Sequence, residues 1–148
     1  MDSEYDLERF VQAQEPVYAT VLDELRAGRK QSHWMWFIFP QIAGLGRSSM
    51  AQRYAIANDD EAADYLAHPV LGPRLRECAT IVLALQGASA NAIFGDPDDM
   101  KFRSSMTLFA DTAPDEAVFQ ASRGLIYSRN APYDTDGRNL YLDYTVKF

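Results

Sequence analysis

Apolar residues recur along this chain at three- and four-residue spacing, and prolines, glycines and cap-forming side chains cut the pattern into short pieces. Asp6 is placed to cap a helix beginning Leu7-Glu8-Arg9-Phe10-Val11, which Pro16 kinks or restarts. Val17, Val21, Leu22 and Leu25 follow, with Gly28 as the stop. Ser48 or Ser49 caps a short helix through Tyr54 and Ile56, and Asn58 or Asp59 opens another over Glu61 to Leu66. Pro69 and Pro73 introduce the longest apolar stripe, Leu71, Leu75, Cys78, Val82 and Leu85, closed by Gly87. Ser89 opens a turn that ends at Gly95. Asp96-Pro97-Asp98-Asp99 then reads as cap, first-turn proline and acidic first turn of a helix carrying Phe102, Met106 and Phe109. A last helix starts between Thr112 and Pro114 and covers Ala117, Val118 and Phe119. The expected class is all-α, with six or more helices between Asp6 and Gln120.

Two stretches stand apart from this rhythm. Trp34 to Phe39 is a run of six large apolar side chains that holds both tryptophans and stops at Pro40. It is too short to separate a buried helical turn from a buried strand, and the punctuation around it favours helix. That much aromatic surface is either core or the wall of a site, and burial against the Leu71–Leu85 stripe is expected. After Gln120 the character changes. Residues up to Asn139 are rich in turn formers, and Leu140 to Val146 alternates like a short strand. The division expected is one helical domain over residues 1–123 and a tail over 124–148, ordered only through a partner or a dimer contact.

Composition narrows the class. A chain of 148 residues is the size of one domain, with 47% hydrophobic and 24% charged residues. A net charge of −7 argues against a nonspecific grip on nucleic acid or anionic lipid, although Arg26, Arg29 and Lys30 cluster. No apolar run approaches the ~18 residues of a membrane span. The single cysteine, Cys78, forms no internal disulfide and suits a reducing, cytoplasmic setting. It reads as an inert core thiol on an apolar stripe.

From about Leu7 to about Phe119 the chain resembles a bacterial family of uncharacterised proteins, DUF1810. The motifs are Arg9-Phe10-Val11 through Glu15-Pro16-Val17-Tyr18, Leu25-Arg26-Ala27-Gly28-Arg29-Lys30, the segment Ser32 to Gln41, Gly44-Leu45-Gly46, His68 to Leu75, Ile93-Phe94-Gly95 and Asp99-Met100-Lys101 with Ser104 to Phe109. The resemblance implies a compact multihelical fold and brings no established activity. After Gln120 the chain departs from the family's basic, glycine-containing ending.

Candidate chemistry lies inside these motifs. His33, beside Trp34 and Trp36, is the candidate general base, set against a core histidine bonded to a backbone carbonyl. Lys101 shares a helix face with Ser104 and Ser105, an ammonium and hydroxyls suited to a phosphate or carboxylate, set against a solvated face. Gly44-Leu45-Gly46-Arg47-Ser48-Ser49 reads either as an anion loop with Arg47 or as a plain turn with an N-cap. His68 is placed to cap a helix entrance. One cysteine and two histidines match no zinc spacing, so neither metal nor cofactor is expected.

Two readings result. In the first, Trp34, Trp36 and Phe39 wall a pocket for a nucleotide-like or phosphorylated small molecule, and Gln41 is among its polar contacts. Arg47, Ser104 and Ser105 bind it, and His33 and Lys101 are the catalytic pair if the protein is an enzyme. In the second, the protein is a non-catalytic interaction module and the aromatic segment is core. The two separate on whether His33 and Lys101 meet in one concave pocket.

Overall fold

The computed structural model describes residues 5–85 and 88–130, with side chains as far as Gly124. Nine helices follow one another among these residues, with no sheet: α1 (Glu8–Gln14), α2 (Tyr18–Arg26), α3 (Met35–Ile38), α4 (Ser49–Arg53), α5 (Asp59–Ala67), α6 (Leu71–Ala84), α7 (Ala90–Phe94), α8 (Asp98–Thr112) and α9 (Ala117–Asn130). The fold is mostly α-helical, as the periodicity predicts.

The local punctuation is largely what the residue types dictate. Ser48 Oγ accepts from Ala51 N at 3.1 Å, Asn58 Oδ1 from Glu61 N at 3.0 Å and Ser89 Oγ from Ala92 N at 3.0 Å. His68 Nδ1 accepts from Val70 N and Leu71 N at the entrance to α6. Gly28 closes α2 at φ +75°. Two expected caps are not made. Leu7, not Asp6, precedes α1, and the Asp6 carbonyl accepts from Arg9 Nη1 instead. Pro97 precedes α8, and Asp96 caps nothing there.

Helix α8 is the hub, packing against α3, α5, α7 and α9. Two chains of aromatic rings meet on it. Phe10, Tyr65, Phe109 and Phe119 run in sequence at centroid distances of 5.1, 5.5 and 5.9 Å. Trp34 touches Phe39, which meets Phe94 and Phe102 edge-on at 5.9 and 5.0 Å. The aromatic run is therefore core for Trp34, Phe37 and Phe39, but its main neighbours are α1 and α8 rather than the α6 stripe expected. Met35 to Ile38 is one helical turn, which settles the helix-or-strand ambiguity.

Helix α9 continues to Asn130, past the boundary expected at residue 123. Phe119 and Ser122 are fully buried, so its first half belongs to the core. Gly87 and the alternating segment Leu140 to Val146, with the strand and dimer contact expected there, lie outside the described residues.

Candidate functional site

The site is built from the chain between α3 and α5 and from one face of α8. Ile42 forms an isolated parallel bridge with Ile56. Ala43 N donates to Ile56 O and Ile56 N to Gln41 O, both at 2.8 Å. Arg9 fixes the far side of this bridge. Its guanidinium donates to the carbonyls of Arg53 and Ala55 at 2.7 and 2.8 Å and pairs at 3.1 Å with Glu61, itself 2% exposed. Between the bridged segments the chain loops out through Gly44 to Ser48. Gly44 sits at φ +98°, where a side chain is strained, and a Cβ on Gly46 would stand 2.7 Å from the Ala51 Cβ. Both glycines are thus needed for the loop to fold back over α4.

This loop and α8 face each other across a groove. A cavity of about 460 Å³ is lined by Trp36, Gln41, Arg47, Lys101 and Ser104, together with Leu45, Gly46, Ser48, Ala51, Pro97 and Met100. On one side it shares Trp36 and Gln41 with a cavity of about 270 Å³ that reaches Tyr54. On the other it shares Leu45, Met100 and Ser104 with a cavity of about 530 Å³ along α8. Leu45 and Met100, 58% and 50% exposed, stand on opposite rims.

Five of the nine side chains proposed from sequence therefore come together: Trp36, Gln41, Arg47, Lys101 and Ser104. Four do not. Phe39 is fully buried core. Trp34 is 1% exposed and donates its indole N–H to Glu24 Oε1 at 2.9 Å, so it is core, not wall. Ser105 is fully buried beside Ser104, because neighbouring residues on a helix point to different faces, and its hydroxyl has no partner among the described residues. His33 is exposed in the loop before α3 and lines none of these cavities, so geometry does not support the pairing with Lys101. The glycine loop ends in the plain turn and N-cap of a five-residue helix.

The electrostatics of the groove depend on Asp98, which the sequence reading takes only as a first-turn acid. Its carboxylate pairs with Lys30 at 2.8 Å and, from the same helix, with Lys101 at 3.4 Å. Lys101 Nζ lies 4.7 Å from the Trp36 ring centroid and Lys30 Nζ 5.1 Å from that of Trp34. The i, i+3 spacing of Asp98 and Lys101 is a legible signal for the first contact; nothing local signals the second. Lys30, with 7% of its side chain exposed, is consequently structural, and the basic cluster expected with Arg26 and Arg29 loses it.

Behind the groove, Glu24 organises the approach to α3. Its carboxylate accepts from Gln31 N, Ser32 N, Ser32 Oγ and Trp34 Nε1 at 2.6 to 2.9 Å. Burial alone raises a carboxyl pKa, but these donors outweigh it and hold Glu24 at about 2. Gln14, 1% exposed, donates to Phe37 O and Tyr65 Oη and accepts from Arg74, tying α3 to α1 and α6. Burial pushes the Cys78 thiol up to about 12, so it stays protonated, as expected of an inert core thiol.

Among the described residues no three His, Cys, Asp or Glu side chains are grouped to hold a metal ion, and no helix is long and apolar enough to cross a membrane. A family model described as "Protein of unknown function (DUF1810)" matches residues 4–135. The match extends beyond Phe119, so the departure expected after Gln120 is corrected as far as residue 135. Among solved structures, the chain is similar to the crystal structure of the conserved hypothetical protein Rv1873 from Mycobacterium tuberculosis. The two share 55% identity at a TM-score of 0.80, over 81% of this chain and 86% of that one. Among curated proteins nothing matches.

Proposed function

The chain belongs to the DUF1810 family, whose description carries no activity, and we propose that its groove binds a phosphorylated or nucleotide-like small molecule. One observation carries this reading: a single cleft gathers the cations Arg47 and Lys101, the donors and acceptors of Gln41 and Ser104, and the Trp36 ring, with no carboxylate among its lining residues. Arg47 is exposed and has no carboxylate partner among the described residues, and Lys101 is held only by the longer of the two Asp98 contacts. Both charges are available to an anion. The Trp36 indole N–H has no partner among the described residues, so the ring offers a donor as well as an edge for stacking. A few convergent polar groups beside an aromatic wall are the makeup of a ligand pocket.

The test is a thermal-shift screen against nucleotides and phosphorylated metabolites, run on wild type and Lys101→Met. A true ligand at about 100 times its Kd adds about 2.7 kcal/mol, a rise of several degrees. The rise should shrink in Lys101→Met and at high salt. If no compound shifts the wild type, or if the variant responds equally, the reading fails. The exposed rim of Leu45 and Met100 favours a second reading, a protein-docking surface without a small ligand. Under it Leu45→Ser abolishes partner binding while Lys101→Met leaves it intact.

A further inference from the structure

We propose that the ligand carries a hydroxylated ring on the α8 side of its phosphate, so that the groove takes a nucleoside diphosphate sugar rather than a bare nucleotide. The proposal rests on the anion site argued above and extends it along α8.

The chemistry of the groove changes in one direction. Lys101, Ser104, Leu108 and Asp111 follow one another at spacings of three and four on α8, so they form one stripe of the helix. Lys101 and Ser104 line the central cavity, and Ser104, Leu108 and Asp111 line the adjoining one of about 530 Å³. The stripe thus passes from cation through hydroxyl to carboxylate. Across from it, Asp59 at the start of α5 lines the same cavity, and Thr107 adds a second hydroxyl.

Three kinds of group compete for this space. Arg103 also lines this cavity, but two carboxylates, Asp59 and Asp111, stand against that one cation, so a second phosphate meets net negative charge. An acyl chain would strip water from the same two carboxylates without offering them a hydrogen bond. A sugar ring satisfies both kinds of wall. Its hydroxyls donate to the carboxylates and exchange hydrogen bonds with Ser104 and Thr107. Its C–H face covers Leu45 and Met100, the large apolar side chains left exposed among the described residues. A bare nucleotide on Arg47 and Lys101 leaves Asp59, Thr107, Leu108 and Asp111, which line only the adjoining cavity, in water. Asp111 also meets Arg123 at 3.3 Å, but that contact is solvent-facing, with 70% of the Asp111 side chain exposed, and leaves the second carboxylate oxygen open.

The experiment is isothermal titration of the full chain with UDP-glucose and ADP-glucose against UDP and ADP. At least one sugar nucleotide should bind tenfold or more tightly than its diphosphate. In Thr107→Val/Asp111→Asn that advantage should fall below threefold, with the diphosphate unchanged. Circular dichroism melting confirms that the variant is folded, and Thr107→Val alone should retain an intermediate loss. Equal binding of the diphosphate and its sugar nucleotide overturns the inference and leaves the anion site standing. So does a variant that weakens both alike. Absence of binding by all four compounds overturns the inference, and the anion site is then judged by the broader thermal-shift screen.

Discussion

Trp34 and Trp36 stand two residues apart, and each carries a lysine over its ring; one carboxylate, Asp98, reaches both lysines. The parts are the same and the outcomes differ. Around Trp34 every polar group is spoken for. The indole N–H goes to Glu24, Lys30 lies at 2.8 Å from Asp98, and the Lys30 backbone N–H is bonded to Ile93 O. Around Trp36 the ring is partly exposed, Lys101 reaches Asp98 only at 3.4 Å, and the neighbouring Ser104 and Arg47 face a cavity. Burial, not residue type, separates the structural clamp from the proposed binding site. A closed set of partners stabilises the fold, and an incomplete set leaves donors and charge for a ligand to complete.

The largest expected effect breaks the comparison directly. Trp34→Ala removes a fully buried ring and leaves Glu24 short of one donor, and it should cost about 3–5 kcal/mol. Trp36→Ala removes a partly exposed ring and should cost about 1–2 kcal/mol. Urea denaturation of the two variants measures both. Equal losses would mean that Trp36 is as much core as Trp34, and the groove would lose its aromatic wall.

A smaller effect sharpens the clamp side. The Glu24 carboxyl sits at about 2 in the fold against an ordinary 4.5, so the folded state favours its ionised form. The stability it contributes is complete above about pH 4.5 and is lost as the pH falls towards 2. Glu116, lowered by its hydrogen bond from Arg76, acts in the same direction and serves as an internal background. Glu24→Gln should cost about 2 kcal/mol at pH 7, and its gap from wild type should close on approaching pH 2. A gap that stays constant across this range would show that the carboxylate charge is not what holds the 31–34 segment.

Much of this arrangement is legible in the sequence, and the limits follow from range. Ser48, Asn58, His68 and Ser89 cap the helices they precede because capping is settled within three residues. That Trp36, Gln41, Arg47, Lys101 and Ser104 carry groups suited to a ligand is readable from their motifs, and the fold lines one cavity with them. The division between Trp34 and Trp36 is not, since a six-residue apolar run has no polar face to orient it. Trp34 precedes α3 and Trp36 lies in its single turn, so the two rings point apart, and the bond to Glu24 is what turns Trp34 inward. Asp98 shows its pairing with Lys101 in the i, i+3 spacing, whereas its stronger pairing with Lys30 depends on packing α7 and α8 against the loop after α2. His33 is misjudged for the same reason: proximity to two tryptophans in sequence places it in the loop, not in the groove.

The smallest expected effect is spectroscopic and reads the comparison without unfolding anything. Trp34→Phe and Trp36→Phe each leave one indole, and a phenyl ring keeps most of the packing. The lone Trp36 in Trp34→Phe should be quenched by acrylamide at least twice as efficiently as the lone Trp34 in Trp36→Phe, because only the first is open to solvent. Iodide adds a charge test. Lys101 above Trp36 and Arg47 on the facing loop draw an anion into the groove, so iodide should favour Trp36 more strongly than neutral acrylamide does. That excess should disappear in Lys101→Met and in high salt, since both remove the attraction without opening or closing the ring. A Trp34 signal as accessible as that of Trp36 would place the two rings in equivalent surroundings and end the distinction between clamp and site.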